Sequence, residues 1–136
     1  MPEGLIDTKV FVHAQTRDAH AEECLRFLES VRLGRVVARV EPLVLHELSY
    51  VLPRYRRQMT RAQVARYLLT ILGWQGFVGD TPILARTVER WRDTPGLAFV
   101  DAYLSALAAR DGCPVYTKNV GELARQGVHV PDPLPG

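Results

Sequence analysis

The chain has 136 residues, 47% of them hydrophobic, with 17 basic and 15 acidic side chains and a net charge of +2. That length suits one domain spanning residues 1–136 with a core of its own, and the composition excludes a disordered or disulfide-stapled chain. A charge so close to balance gives no global pull toward a polyanion, and the longest uncharged run, Tyr67 to Gly79, is too short to cross a bilayer.

Leu5 and Ile6 begin a short strand that runs into Asp7. In an open parallel sheet such a strand delivers its carboxylate to the C-terminal edge, where ligands bind. Asp7 reads equally well as the cap of the turn after the strand. Thr8 and Lys9 follow, and apolar residues resume at Val10, Phe11 and Val12. The N-terminus carries Glu3 and lacks the basic-then-apolar order of a secretion signal. Cys24 and Cys113 have no metal-ligand spacing. A cytoplasmic protein with no membrane partner is expected.

Residues 18–32 place Ala21, Cys24, Leu25, Leu28 and Val31 at helical spacing, with Glu22 and Glu23 in the first turn and Gly34 as the stop. Arg35 to Val40 is valine-rich and reads as a strand. Pro42 opens a helix with Leu43, Val44, Leu48, Val51 and Leu52 as its apolar face, and Pro53 ends or kinks it. Thr60 and Gln63 form a capping box for the next helix, which Gly73 ends. Phe77-Val78 is a brief strand. Thr81-Pro82 starts a helix with Leu84, Val88 and Trp91 in register. After the turn at Thr94-Pro95-Gly96, Ala98 to Arg110 is helical. Pro114 to Thr117 is a strand, Gly121 to Gln126 a short helix or turn, and Val128 to Val130 a last strand. Strands alternating with helices predict an α/β domain whose parallel sheet is covered on both faces.

Three further positions stand out. Glu47 lies four residues from Leu43 and from Val51, which puts it on an apolar helix face. An ionised glutamate there calls for a compensating cation; the plainer reading is a residue at the edge of the stripe that reaches solvent. Asp101 sits early in a largely apolar helix, among Phe99, Val100, Ala102, Leu104 and Leu107, either as a kept acid or as a favourable first-turn charge. Thr117, Lys118, Asn119 and Glu122 follow a strand at the edge where Asp7 is expected, or form an ordinary loop. Carboxylates at the ends of separate elements, with no His or Cys cluster, favour a hard cation such as Mg²⁺ or Mn²⁺ completed by water and phosphate. Arg54, Arg56, Arg57, Arg61 and Arg66 fall in the stretch between Glu47 and Asp80, which holds no acid. Such a cluster suits phosphate contacts, a solvated helix face or a dimer rim.

The four motifs, taken in order, resemble the PIN domain. They are Leu5-Ile6-Asp7-Thr8 with Val10 to Val12, Pro42 to Leu48 around Glu47, Leu97 to Ala102 around Asp101, and Thr117 with Asn119, Glu122 and Leu123. The closest likeness is to VapC-type ribonucleases of toxin–antitoxin pairs. The resemblance covers nearly the whole chain. It implies a three-layer α/β/α fold with a central parallel sheet and Mg²⁺- or Mn²⁺-dependent cleavage of single-stranded or structured RNA. It further implies a homodimer held inactive by a cognate antitoxin, with the helices over residues 42–72 forming those surfaces. Asp7, Glu47 and Asp101 match the family's three best-defined acids. On this pattern Asp7 and Asp101 hold the metal, Glu47 acts on the attacking water, and Thr8, Thr117 and Asn119 support the site or bind substrate. The family often has Asp where this chain has Asn119, so Glu122 is the candidate replacement carboxylate. Lys9 stands where Asn or Ser is usual and becomes a candidate phosphate contact. A catalytically degenerate RNA- or partner-binding module is the alternative, and a phosphoacceptor domain a third reading in which Glu47 has no natural role.

Overall fold

The computed structural model describes residues 3–55 and 59–136. Three short strands, β1 (Gly4–Leu5), β2 (Ala38–Arg39) and β3 (Phe77–Val78), form one parallel sheet in the order β1-β2-β3. Gly4 pairs with Ala38 and Leu5 with Arg39; Ala38 pairs with Phe77 and Arg39 with Val78. Backbone bonds from Ile6 N to Arg39 O and from Val40 N to Val78 O, each 3.4 Å, carry the pairing one residue further. All three strands run the same way, so the segments that follow them leave from a common edge.

Seven helices complete the described structure: α1 (Thr8–Gln15), α2 (Ala21–Arg32), α3 (Pro42–Tyr55), α4 (Arg61–Leu72), α5 (Thr81–Asp93), α6 (Phe99–Asp111) and α7 (Val120–Ala124). Sheet and helices together give an α/β fold with a parallel sheet, as the sequence predicts. Several signals act as read. Thr60 and Gln63 make both halves of the capping box. Pro82 sits in the first turn of α5. Gly112 closes α6 in the left-handed conformation at φ 65°, where a side chain would be strained. Gly76 is required for a different reason. A Cβ there would lie 2.2 Å from Val36 O and 2.4 Å from Val31 O, where the end of α2 crosses the lead-in to β3.

Other expectations shift. Thr8–Gln15 is a helix that periodicity alone did not reveal, because its apolar run is short and begins inside the strand signal. α3 continues through Pro53 to Tyr55. The segments at 114–117 and 128–130 are not strands; a single backbone bond, Val115 N to His129 O at 2.9 Å, joins them. They pack instead in a small satellite cluster, in which Ala108, Val115 and Leu123 meet Val128 and Val130. The main core gathers Ile6, Phe11, Val31, Ala38, Val40, Leu45, Leu48, Leu52, Leu68, Ile71, Phe77, Leu84, Val88, Leu97 and Phe99 between sheet and helices. No described helix is long and apolar enough to cross a membrane.

Candidate active site

Asp7 follows β1 directly and is the N-cap of α1, with extended backbone at φ −91° and ψ 151°. Its carboxylate accepts a hydrogen bond from Lys9 N at 3.4 Å. That distance is long for N–H···O, so the capping reading of Asp7 is true and still leaves most of the carboxylate open. Thr8, the first residue of α1, is buried, whereas Asp7 and Lys9 are exposed.

Glu47 lies in α3, which leaves the same sheet edge after β2. The buried face of this helix is Leu45, Leu48, Ser49 and Leu52, at the i, i+3, i+4, i+7 spacing of a core stripe. Leu43, grouped with that face from the sequence, is 80% exposed. Glu47 is therefore half-buried at the margin of the stripe rather than inside it. Asp101 is the first-turn acid of α6 and is also half-buried. Its helix is less enclosed than its composition suggests, since Val100 and Leu104 are exposed. The two helices meet where His46, the residue before Glu47, stacks on Phe99, two residues before Asp101, with ring centroids 5.8 Å apart. His46 carries no signal in the sequence beyond its place beside Glu47.

The fourth motif folds back onto the third. Asn119 Nδ2 donates to Asp101 Oδ2 at 3.2 Å, and Asn119 N donates to Thr117 Oγ1 at 2.9 Å. Asn119 is the N-cap of α7 but makes no side-chain capping bond; its amide is spent on Asp101 instead. Glu122 lies in the first turn of α7, half-buried. Lys118 points elsewhere, 3.3 Å from Asp132 Oδ1 in the C-terminal segment.

The pattern of charge pairing is more telling than any single distance. Among the described residues ten of the fifteen acids lie in ion pairs: Glu3, Asp18, Glu22, Glu29, Glu41, Asp80, Glu89, Asp93, Asp111 and Asp132. The five that do not are Asp7, Glu23, Glu47, Asp101 and Glu122. Four of those five are the acids singled out from the sequence. Carboxylates without a basic partner are the kind of oxygen donor that a hard cation takes. Among the described residues no three His, Cys, Asp or Glu side chains gather round one point. A cation here would rest on one or two carboxylates, with water and phosphate completing its shell, which is how Mg²⁺ is commonly held.

The arginine cluster divides. Arg61 is a strut, donating from Nε to Trp91 O at 2.7 Å and from Nη2 to Leu97 O at 2.6 Å and Thr94 O at 3.2 Å. Its guanidinium carbon lies 4.4 Å from the centre of the Trp91 ring, and burial pulls its pKa down. It is not available to a phosphate. Arg54 and Arg66 are exposed, and Arg56 and Arg57 lie outside the described residues.

A model of the PIN domain matches residues 4–125, a span that contains every candidate site residue from Asp7 to Glu122. Neither a curated protein nor a solved structure matches the chain. PIN domains are typically metal-dependent nucleases, with divalent metals as the general cofactor. With the match covering most of the chain, and the parallel sheet and helices to go with it, the protein belongs to the PIN domain family.

Proposed function

We propose that the protein is an endoribonuclease dependent on Mg²⁺ or Mn²⁺, and that it serves as the toxin of a toxin–antitoxin pair. The observation that carries the first part is the set of unpaired acids. On a chain where most carboxylates have a basic partner, Asp7, Glu47, Asp101 and Glu122 have none among the described residues. A family whose members cleave phosphodiesters with divalent metals gives those charges a use.

In this reading Asp7 and Asp101 would hold the cation. When bound, it supplies charge stabilisation to the phosphoryl oxygens. Asn119 orients Asp101 by donating to one of its oxygens, and Thr117 fixes Asn119 through its backbone N–H. Glu47, at the solvent margin of α3, takes the proton of the attacking water. Lys9, exposed as the second residue of α1, meets the phosphate that the carboxylates alone would repel. Glu122 offers the carboxylate that Asn119 lacks. The toxin role, a homodimer and a cognate antitoxin rest on the resemblance of the four motifs to VapC-type chains.

The test is cleavage of an end-labelled RNA by the purified protein with Mg²⁺, Mn²⁺ or EDTA. Metal-dependent endonucleolytic products are expected, and Glu47→Gln should slow their formation by about 100-fold or more. A protein that leaves RNA intact under every metal condition is a binding module instead. For the toxin role, induced expression should arrest growth, and co-expression of the product of an adjacent small open reading frame should relieve it.

A further inference from the structure

α3 carries a second pattern that the carboxylates do not use. His46, Tyr50 and Arg54 are spaced four residues apart and so share one exposed helix face. The His46 and Tyr50 rings lie 5.6 Å apart in an edge-to-face arrangement, and the Arg54 guanidinium carbon lies 5.8 Å from the Tyr50 ring centre. At its other end the strip adjoins Glu47, the residue after His46, and touches α6 where His46 stacks on Phe99, two residues before Asp101. From His46 to Arg54 it runs about 12 Å along the helix. The core does not need this surface: α3 buries Leu45, Leu48 and Leu52, while Tyr50 stays 47% exposed.

Charge says what suits the strip. No acid occurs in the sequence between Glu47 and Asp80, and Arg54, Arg56, Arg57 and Arg66 all lie there. Arg54, on this face, and Arg66, on α4, are both exposed. A polyanion with flat, partly apolar groups meets both the rings and the charge. Side chains about 6 Å apart along the helix are spaced more widely than bases stacked at about 3.4 Å. The strip therefore fits bases splayed one by one, not a continuous stack. A duplex, whose bases are enclosed, offers nothing to the rings.

We infer that the His46–Tyr50–Arg54 strip seats the unpaired bases of single-stranded RNA entering or leaving the carboxylate site, with Tyr50 as the stacking platform and Arg54 at the phosphate. This rests on the nuclease reading of that site. The experiment is fluorescence anisotropy in EDTA, where no metal-dependent cleavage proceeds. The probes are a fluorescein-labelled single-stranded oligoribonucleotide of about twelve nucleotides and the corresponding duplex. The single strand should bind more tightly than the duplex. Tyr50→Ala should weaken single-strand binding roughly 10- to 100-fold, while Tyr50→Phe, which keeps the ring, stays within about twofold. Arg54→Gln should flatten the dependence of log affinity on log salt by about 0.7. Tyr50→Ala binding as tightly as the unmodified protein overturns the proposal. So does a Tyr50→Ala variant that turns a dimer into a monomer in sedimentation while its RNA affinity is unchanged, since the face then belongs to a second copy. Cleavage of the same oligonucleotide, measured in parallel with Mn²⁺, separates the two ideas. Cleavage with unaltered Tyr50→Ala binding removes the strip and leaves the nuclease. Ring-dependent binding without cleavage removes the nuclease and leaves the strip.

Discussion

Asp7 combines a weak capping bond with an open carboxylate, and the two can be separated by substitution. Asn caps a helix about as well as Asp, so Asp7→Asn should keep the thermal midpoint of the unmodified protein while removing the charge. Asp7→Ala should lose about 1 kcal/mol of stability, read from urea denaturation. Asn119 offers the complementary experiment. Its amide holds Asp101 at 3.2 Å, so Asn119→Asp replaces a donor with a second negative charge beside the first. Without metal that variant should melt below the unmodified protein, and millimolar Mg²⁺ should restore it, because a cation then neutralises both carboxylates. A melting temperature indifferent to Mg²⁺ would count against a metal at Asp101. At this scale the sequence was informative about residue type and poor about neighbours. Glu47 and Asp101 stand out as acids in apolar helices, Asp7 as the acid at the end of a strand, and Asn119 only as part of the polar run at 117–122. The bond between Asn119 and Asp101, eighteen residues apart, has no local signal.

Helices were read well where caps and periodicity agreed, as at Thr60 with Gln63 and at Gly112, and poorly where a motif was short. α1 has eight residues, and its apolar positions adjoin a strand, so neither period dominated. The segment at 114–117 looked like a strand because valine and tyrosine favour one, yet it makes one backbone bond to 129 instead of a ladder. Two predictions belong to elements. Gly76→Ala should destabilise the protein by about 3 kcal/mol or more in urea denaturation, because the new Cβ meets two backbone oxygens that cannot move independently. The junction of α1 and α2 is tied by Asp18, which bonds His13 Nδ1 at 2.6 Å, Thr16 Oγ1 at 2.7 Å and His20 N at 2.9 Å. The His13 bond, then the Thr16 hydroxyl, hold the Asp18 pKa down at about 2 from 3.8. A depressed carboxylate stabilises the fold above its unfolded pKa and ceases to do so as pH falls through its folded one. The midpoint difference between the unmodified protein and Asp18→Asn should therefore close as pH falls between about 4 and 2. A difference that does not change over that window would show that the His13 and Thr16 bonds do not depend on the charge.

In the whole molecule, charge is divided between structure and chemistry. Arg61 fastens the start of α4 to the carbonyls around the turn between α5 and α6, and Arg110 joins Asp80 to Asp111. Arg61→Lys should cost about 2 kcal/mol in urea denaturation, since an ammonium cannot span three carbonyls and loses its planar contact with Trp91. RNA affinity should change little. The sequence could not separate Arg61 from Arg54, because both lie in one acid-free stretch and only the tertiary structure says which faces inward. The same separation leaves Asp7, Glu47, Asp101 and Glu122 as carboxylates without basic partners among the described residues, and the account depends on their acting together with a metal. The most direct test is the rate of RNA cleavage by the unmodified protein and by Asp7→Asn, each with Mg²⁺ or Mn²⁺ and with EDTA. Cleavage by the unmodified protein is expected only with metal, and at least about a 100-fold slower rate for a folded Asp7→Asn. Cleavage that persists in EDTA, or a folded Asp7→Asn as fast as the unmodified protein, would contradict it.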